Sequence, residues 1–370
     1  MRKIMLNGQW ELAEAGNDRL CEVQVPGSVL SGLYGAGKIE DPFYRTNEDV
    51  TRELFRKDYE FSRTFVAAED ILKEEKIILV CEGLDTLADI YINGQKAGSA
   101  DNMHRTWKLD VKEFLHSGEN QIRIVFRSVF KYIEAYEYED NKEIHYVPCG
   151  GMKGNQLIRK AHCMFGWDWG PQTIDAGIFR DIYLEAYSHP RIEDVKITQV
   201  HGDNAVDVCT TVAVSGDAVD KCQVRVTIQE DAESVCGHRT GANDRKTEAH
   251  VCKVGETVSA NNNPAVLTSS IHNPKLWWPN GYGDQPLYKV QVELLDEYGT
   301  VLETITKRIG LRTLTISQEK RSLGKRVRVL CQWRENFCHG GKLYSGGLHL
   351  FQDHTGGPEV SSGILQTCQF

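Results

Sequence analysis

A tight turn at Asn93-Gly94 constrains the fold of this chain more than any other short feature of its sequence. Asn-Gly is a preferred pair for two-residue hairpins, because both central residues of a type I′ turn need a positive φ. The turn follows Ala88–Ile92, where Ala, Ile and Ile alternate with Asp and Tyr, the period-two pattern of a half-buried strand. The sequence therefore predicts an antiparallel hairpin that belongs to a larger sheet.

Residues 1–188 contain further strand-like runs and predict one β-sandwich with long loops. Residues 6–10 are expected to be a turn that leads into a short strand, and a strand that begins at Val23 is ended by Pro26-Gly27. Further strands are expected at 59–65, 77–80, 121–126 and 177–187. The segment 41–48 is loop-like but carries Phe43 and Tyr44, so we expect it to wrap across the domain instead of projecting from it.

A second run of short strands begins after His189-Pro190 and predicts a smaller sandwich over residues 189–316. The expected strands lie at 195–197, 206–214, 224–228, 287–295 and 301–308. The polar passage 231–263 is expected to be a long hairpin or partly disordered. Trp277 and Trp278 precede Pro279 and several glycines, so we expect a rigid bend with at least one indole packed at a domain boundary.

A loop of the first domain, residues 155–171, is the candidate binding site. Trp167 and Trp169 flank the carboxylate of Asp168, and Gly166 and Gly170 bracket all three. Aromatic faces stack on the apolar C–H faces of a sugar, and a carboxylate accepts hydrogen bonds from hydroxyl groups. The alternative is that both Trp side chains are core anchors and that Asp168 merely caps a turn.

Composition excludes several other classes of function. The net charge of −9 argues against a nucleic-acid or anionic-membrane partner, and no apolar run approaches the roughly 18 residues that span a bilayer. The chain is expected to be cytoplasmic, since it starts without the apolar centre of a signal peptide. Eleven scattered Cys without C-x-x-C pairs favour reduced thiols over disulfides or a zinc site, and no cofactor or metal is expected.

Seven runs of sequence resemble the β-mannosidases of glycoside hydrolase family 2. They are L-N-G-Q-W at 6–10, V-P-G-S-V at 25–29, D-P-F-Y-R-T-N-E at 41–48, E-G-L-D-T-L-A-D-I-Y-I-N-G at 82–94, N-M-H-R at 102–105, R-K-A-H-C-M-F-G-W-D-W-G-P at 159–171 and P-K-L-W-W-P-N-G-Y-G-D-Q-P-L-Y at 274–288. The hairpin region is shared with β-galactosidases and β-glucuronidases. The F-G-W-D-W-G-P and N-M-H-R runs are closer to β-mannosidases, with exo-β-glucosaminidases as the nearest alternative.

The resemblance implies an all-β front followed by a (β/α)₈ barrel that performs the chemistry. The front would be a jelly-roll, galactose-binding-like domain and then an immunoglobulin-like sandwich. The reaction would be retaining hydrolysis of a terminal β-mannoside by two Glu carboxylates about 5–5.5 Å apart, both in the barrel. We therefore expect no catalytic residue in this chain, substrate-binding roles for Trp167, Asp168 and Trp169, and a β-mannoside oligosaccharide as partner. The oligomeric state is left open, as is a stand-alone carbohydrate-binding role.

Residues 317–370 depart from the family pattern. Residues 321–370 hold six Lys or Arg against three Asp or Glu, a net +3 in a chain of net −9. When permitted codons for residues 322–370 are read from their second base, they can encode a string that begins A-W-G-K-E-F-A-F-C-V-N-G-E and resembles the family's entry into the barrel. We therefore expect a shift of reading frame near Lys320 and Arg321, and a disordered, out-of-frame tail. The Gly pairs and the Cys and His residues there fit no phosphate loop or zinc spacing.

Overall fold

The computed structural model of the chain describes residues 2–140, 152–166, 170–231, 254–260, 263–321, 324–332 and 334–336. Strands dominate, and the chain divides into two compact units, the first ending at Ser188 and the second beginning at His189. The all-β fold class predicted from the sequence is confirmed.

The first unit is a β-sandwich with its core between two main sheets. One sheet has the order β3-β2-β4-β10-β7-β8, the other β1-β12-β5-β9, and β11 pairs with β6. These strands are β1 (Arg2–Met5), β2 (Gly8–Glu14), β3 (Arg19–Val25), β4 (Tyr59–Ala67), β5 (Lys76–Cys81), β6 (Leu84–Asp85), β7 (Ala88–Ile92), β8 (Gln95–Ala100), β9 (Trp107–Asp110), β10 (Gly118–Phe126), β11 (Gly177–Ile178) and β12 (Ile182–Tyr187). The core includes Trp10, Phe61 and Phe126, and the last two meet edge to face at 5.4 Å between ring centroids.

The predicted hairpin is confirmed. β7 and β8 are antiparallel, with Ile92 opposite Gln95, and Asn93 and Gly94 have φ of 50° and 80° between them. The inward side chains Ile90 and Ile92 are buried, as the alternation requires.

Four α-helices lie outside the sheets in the described part of the first unit, and the sequence analysis predicted none of them. They are α1 (Val29–Gly35), α2 (Asn47–Leu54), α3 (Glu69–Leu72) and α4 (Val129–Asp140). Ser28 caps α1, because its hydroxyl accepts from the Ser31 backbone N–H while the Ser31 hydroxyl accepts from the Ser28 backbone N–H. Residues 41–46 of the segment predicted to be loop-like form turns, and only its last two residues, Asn47 and Glu48, belong to α2.

The expected single strand over 177–187 is two strands. Gly177 and Ile178 pair with Asp85 and Leu84 in the small sheet, and only from Ile182 does the chain join the larger one. The chain crosses close to the backbone of Gly27 at Gly177, where an added Cβ would lie 2.5 Å from the Gly27 carbonyl oxygen. Such a contact excludes every side chain at this position.

The second unit is a smaller sandwich whose apolar core lies between two sheets, β13-β14-β17 and β16-β15-β18-β19. Its strands are β13 (Arg191–His201), β14 (Ala205–Ser215), β15 (Gln223–Glu230), β16 (Val254–Ser259), β17 (Ala265–His272), β18 (Tyr288–Leu295) and β19 (Val301–Ile309). All five strands predicted for this region are confirmed within a few residues. Part of the passage predicted to be a long hairpin or disordered is also strand, since β16 pairs with β15; residues 232–253 lie outside the described residues.

Three further strands form a sheet in the order β20-β21-β22, with β20 at Leu314–Arg321, β21 at Gly324–Cys331 and β22 at Arg334–Asn336. Strands at these positions differ from the disordered tail expected over 317–370. Val327, Val329 and Leu330 give β21 the β-branched and apolar content that favours strands, a signal that the change of charge had obscured. Residues 337–370 lie outside the described residues.

Candidate functional site

The candidate site is the loop between α4 and β11, of which the structure describes residues 152–166 and 170–176. The three predicted site residues, Trp167, Asp168 and Trp169, lie outside the described residues. The two flanks of this run are described in detail, and each is held by a different motif of the sequence.

The flank that precedes the run is held by the N-M-H-R segment. The Met103 backbone N–H donates to the Arg159 carbonyl oxygen at 3.0 Å, and the Ala161 N–H donates to the Met103 sulfur at 2.9 Å. Asn102 and Arg159 form an isolated parallel bridge. The chain then makes a short 3₁₀ turn, and Phe165 is fully buried. Met103 of the N-M-H-R segment therefore holds the chain in place where it approaches residues 162–166.

The flank that follows the run is held by Gln172. Its backbone N–H donates to Glu48 Oε1 at 3.0 Å, and its side-chain oxygen accepts a hydrogen bond from the Arg52 guanidinium. Glu48 and Arg52 both belong to α2, which the D-P-F-Y-R-T-N-E segment begins. We call Glu48, Arg52 and Gln172 the Gln172 clamp.

Gly166 and Gln172 meet at the base of the loop. Gly166 has φ +79° and ψ 178°, a conformation that only glycine adopts readily. An added Cβ would lie 2.5 Å from Gln172 Cγ, so the Gln172 side chain occupies the space that a residue other than glycine would need. Gly166 and Gln172, which precede and follow the run 167–171, are therefore in close contact with each other.

The two described flanks of the loop contribute Lys160 and Asp175 to a buried cluster of three charged residues, of which Asp85 is the third. Lys160 Nζ lies 2.6 Å from Asp85 Oδ1 and 2.5 Å from Oδ2, and it donates to the Asp175 carbonyl oxygen at 2.6 Å. The Thr86 hydroxyl donates to Asp85 Oδ1 as well. One ammonium group therefore joins the loop's first flank, its second flank and the small sheet.

Burial raises the pKa of Asp175 to about 6. Hydrogen bonds from Ser28 and from the Leu30 and Ala176 backbone N–H groups oppose this shift, as does the charge of Lys160. The Asp175 Oδ1 atom accepts from the Leu30 N–H at 3.1 Å and from the Ala176 N–H at 2.8 Å. The carboxyl group thus ties the start of α1 to the end of the loop.

The buried cluster cannot perform glycoside hydrolysis, although it contains two carboxyl groups. The cavity beside it has a volume of about 10 Å³, which is room for about one water molecule and not for a sugar. Asp85 is also committed to its ion pair with Lys160. The cluster therefore supports the loop and does not contact substrate. Within the described ranges, no group of three or more His, Cys, Asp or Glu side chains is arranged to hold a metal ion.

Trp107, at the start of β9, is a half-buried aromatic side chain close to the N-M-H-R segment. Its indole N–H donates to the Asn102 carbonyl oxygen at 3.1 Å, and the Arg105 guanidinium lies 4.3 Å from its ring centroid. One face of this ring is therefore already stacked on a cation within the domain.

Sequence reasoning missed the residues that support the loop. Lys160 and Asp85 lay within quoted motifs but received no role, and Gln172 and Asp175 lay beyond the end of the loop motif. The available signal was a charged residue inside an apolar run, Asp85 between Leu84 and the Thr86-Leu87 pair. Such a residue needs a partner when it is buried.

Comparisons with known proteins agree with this architecture. Residues 10–180 match the family model described as glycosyl hydrolase 2 galactose-binding domain-like, and residues 191–312 match glycosyl hydrolases family 2. Beta-mannosidase B of Emericella nidulans is 30% identical over 346 residues, 91% of this chain and 38% of that protein. The beta-mannosidase of Mus musculus is 28% identical and covers 85% of this chain.

The crystal structure of the β-D-mannosidase from Dictyoglomus thermophilum superposes with a TM-score of 0.79 and 28% identity. It covers 92% of this chain, and the match spans 40% of that protein. A β-glucuronidase of Bifidobacterium dentium shares the fold, with a TM-score of 0.57 at 20% identity. The chain spans 35–40% of the length of the β-mannosidases that it matches. On these two domain matches and these relatives, the chain belongs to glycosyl hydrolase family 2, of which it carries the galactose-binding-like domain and the immunoglobulin-like sandwich.

Proposed function

We propose that the complete protein is a β-mannosidase, which releases terminal β-D-mannose from oligosaccharides with retention of configuration. The observation that carries this proposal is the similarity to β-mannosidases over nine tenths of the chain, in sequence and in structure. The described front of the chain contributes no catalytic residue to this proposal. The two carboxylates of the retaining reaction are assigned to the part of the complete protein that lies beyond the two sandwiches.

Within this proposal, Trp167, Asp168 and Trp169 form one wall of the sugar site. Their flanks support this role, because Gly166 and Gln172 are in close contact and the buried cluster joins both flanks. A wall of this kind can direct a carboxylate toward a sugar hydroxyl, and two indoles can stack on the sugar's apolar faces.

The experiment is hydrolysis of chromogenic β-mannoside, β-glucosaminide and β-glucuronide by the complete protein. We expect a strong preference for the β-mannoside, with the β-anomer of mannose as the first product seen by proton NMR. A preference for the β-glucosaminide would replace the proposal with an exo-β-glucosaminidase. An α-anomer as the first product would contradict the retaining mechanism.

A second candidate function is sugar binding without hydrolysis by these 370 residues alone. The first unit favours it, because its core and both flanks of the loop are completed by residues of this chain. Titration calorimetry with mannose and β-1,4-mannobiose decides between the two. We expect weak binding, since one wall does not enclose a sugar. A dissociation constant in the micromolar range would favour the binding module.

A further inference from the structure

The sequence contains three Asn-Gly pairs, Asn7-Gly8, Asn93-Gly94 and Asn280-Gly281, and such a pair can react without an enzyme. The glycine backbone nitrogen attacks the carbon of the asparagine side-chain amide, because glycine has no Cβ to hinder the approach. The new C–N bond closes a succinimide ring, and the side-chain nitrogen leaves as ammonia together with the glycine N–H proton. Water then opens either C–N bond of the ring, which leaves aspartate or isoaspartate.

The fold holds Asn93 in a position that opposes this reaction. Its Nδ2 donates to the Phe114 carbonyl oxygen at 2.9 Å and to Asn120 Oδ1 at 2.8 Å. Its Oδ1 accepts from the Gln121 N–H at 2.9 Å, and its own N–H donates to the Gln121 carbonyl oxygen at 2.9 Å. Because ring closure moves the side-chain amide onto the Gly94 nitrogen, these bonds must first break in a local opening of the hairpin.

Asn7 is held in a similar way. Its Nδ2 donates to Asp181 Oδ1 at 2.8 Å, and its Oδ1 accepts from the Ile182 N–H at 3.0 Å. Its carbonyl oxygen, which belongs to the peptide group that would join the ring, accepts from the Arg63 guanidinium. These contacts join the turn between β1 and β2 to β4 and to the start of β12, so they break only when the strands separate.

Asn280 instead lies in an exposed turn. The Tyr282 N–H closes this turn by donating to the Pro279 carbonyl oxygen at 3.0 Å, and residues 280–284 are all exposed. A Cβ added at Gly281 would meet nothing within 4 Å, so the space around the reacting peptide group is open. Asn280 Oδ1 accepts from Gln285 Nε2 at 2.7 Å, which is a contact within the same loop.

We propose that Asn280 is a site of spontaneous deamidation in the folded protein, and that the fold protects Asn7 and Asn93 from the same reaction. Movement of one exposed turn brings the Asn280 side chain onto the Gly281 nitrogen, whereas the other two side chains require strands to separate. The site is independent of the proposed function, because its reactants are the chain itself and water.

Deamidation to isoaspartate also changes the loop that contains Asn280. The Trp278 N–H donates to the Asp284 carbonyl oxygen at 2.9 Å and thereby closes this loop. Isoaspartate carries the main chain through the side-chain methylene, so the closed loop gains a backbone atom. We therefore expect the hydrogen bond of Trp278 to weaken after the reaction.

The first test is peptide mapping of the folded 370-residue chain during incubation at mildly alkaline pH. Trypsin releases residues 77–96 and 276–289, each with a single Asn, and conversion raises the peptide mass by the difference between an amide and an acid. Asn280 should convert at least about tenfold faster than Asn93. In concentrated urea the two rates should become similar, since both residues precede glycine. Equal rates in the folded chain, or a ratio that urea leaves unchanged, would overturn the proposal.

The second test is amide hydrogen exchange of the segment that contains Trp278. Exchange should be about tenfold faster in a chain aged until Asn280 has converted than in a fresh chain. Asn280→Asp is the matched control, because it adds the carboxylate without lengthening the backbone, and it should exchange like the fresh chain. Asn280→Gln should not change on ageing, because its longer side chain closes a ring much less readily. Faster exchange in aged Asn280→Gln as well would assign the change to another residue and overturn the effect on the loop.

Discussion

Lys160 and Asp85 form an ion pair in which neither side chain has any exposure to solvent. The two residues are 75 positions apart, and the Lys160 ammonium also holds the Asp175 carbonyl oxygen at 2.6 Å. Charges without water are stable only when paired and hydrogen-bonded, so each partner requires the other. The pair thereby connects the start of the candidate loop, its end and β6.

Lys160→Met should lower the free energy of unfolding by about 3–5 kcal/mol, because it leaves the Asp85 carboxylate buried without a counterion. Lys160→Met/Asp85→Asn should recover a large part of this loss, since neither buried charge then remains. Denaturant unfolding of the first domain measures both. The control is Lys76→Met, which breaks an exposed Lys–Asp pair to Asp110 of similar length, 2.8 Å, and should cost less than about 1 kcal/mol. Similar losses in Lys76→Met and Lys160→Met would contradict this reading.

The raised pKa of Asp175 predicts that the free energy of unfolding depends on pH. Its folded pKa is raised by burial from 3.8 to about 6, so the folded state binds more protons than the unfolded state between these values. Stability contributed by this group is therefore present at low pH and falls as the pH rises toward 6, by about 2–3 kcal/mol in all. Asp175→Asn keeps an oxygen for the Leu30 and Ala176 N–H groups but does not titrate.

The measurement is the difference in unfolding free energy between Asp175→Asn and the wild type at pH 4 and at pH 7. The difference should shift in favour of the variant as the pH rises. A constant difference would mean that Asp175 titrates normally in the folded chain. A shift in favour of the wild type would mean that its hydrogen bonds and Lys160 outweigh burial.

Many strands of both sandwiches could be predicted because each pattern is local, although β1, β9 and β17 were not predicted. Asn93-Gly94 carries its turn type in two residues, and Ile90 and Ile92 show the buried face by alternation alone. The support of the loop could not be predicted, because it consists of contacts between distant residues. Nothing near Gln172 in the sequence points to Glu48, and nothing near Lys160 points to Asp85. The sugar-binding roles of Trp167, Asp168 and Trp169 and the cytoplasmic location stay predictions.

The contacts of Trp277 indicate that this residue stabilises the second domain. Its indole packs on Gly310, where an added Cβ would lie 2.9 Å from the ring, and the Arg312 guanidinium stacks 4.3 Å from its centroid. Its backbone N–H donates to the Leu311 carbonyl oxygen at 2.9 Å. All of these contacts lie within one domain; the expected packing of an indole at a domain boundary stays a prediction.

Trp277→Ala should lower the free energy of unfolding of the second domain by about 2–3 kcal/mol, less than for a fully buried Trp because this ring is half-exposed. In the complete enzyme the KM for a β-mannoside should stay within about twofold of the wild type. Tyr298→Ala is the control, since Tyr298 is 84% exposed and its loss should change the unfolding free energy by less than about 0.5 kcal/mol. A large rise in KM with an unchanged free energy of unfolding would indicate that Trp277 contacts the sugar and would contradict the structural role.

The sequence that follows Lys320 indicates a shift of reading frame. Each codon of the shifted string begins with the second base of one printed residue's codon, so its first base is constrained by that residue. Its last base is the first base of the next residue's codon and is constrained by that next residue. Only the middle position is broadly free, so a match to the family over 49 residues is very improbable by chance. The DNA should therefore show one base gained or lost at or near Lys320 and Arg321, with barrel-coding sequence downstream.

Activity toward a chromogenic β-mannoside should be absent from the 370-residue polypeptide. It should appear once the base is corrected and the downstream barrel is expressed, because both catalytic carboxylates must be held by one scaffold. An intact frame, with no barrel-coding sequence downstream in any frame, would defeat this prediction.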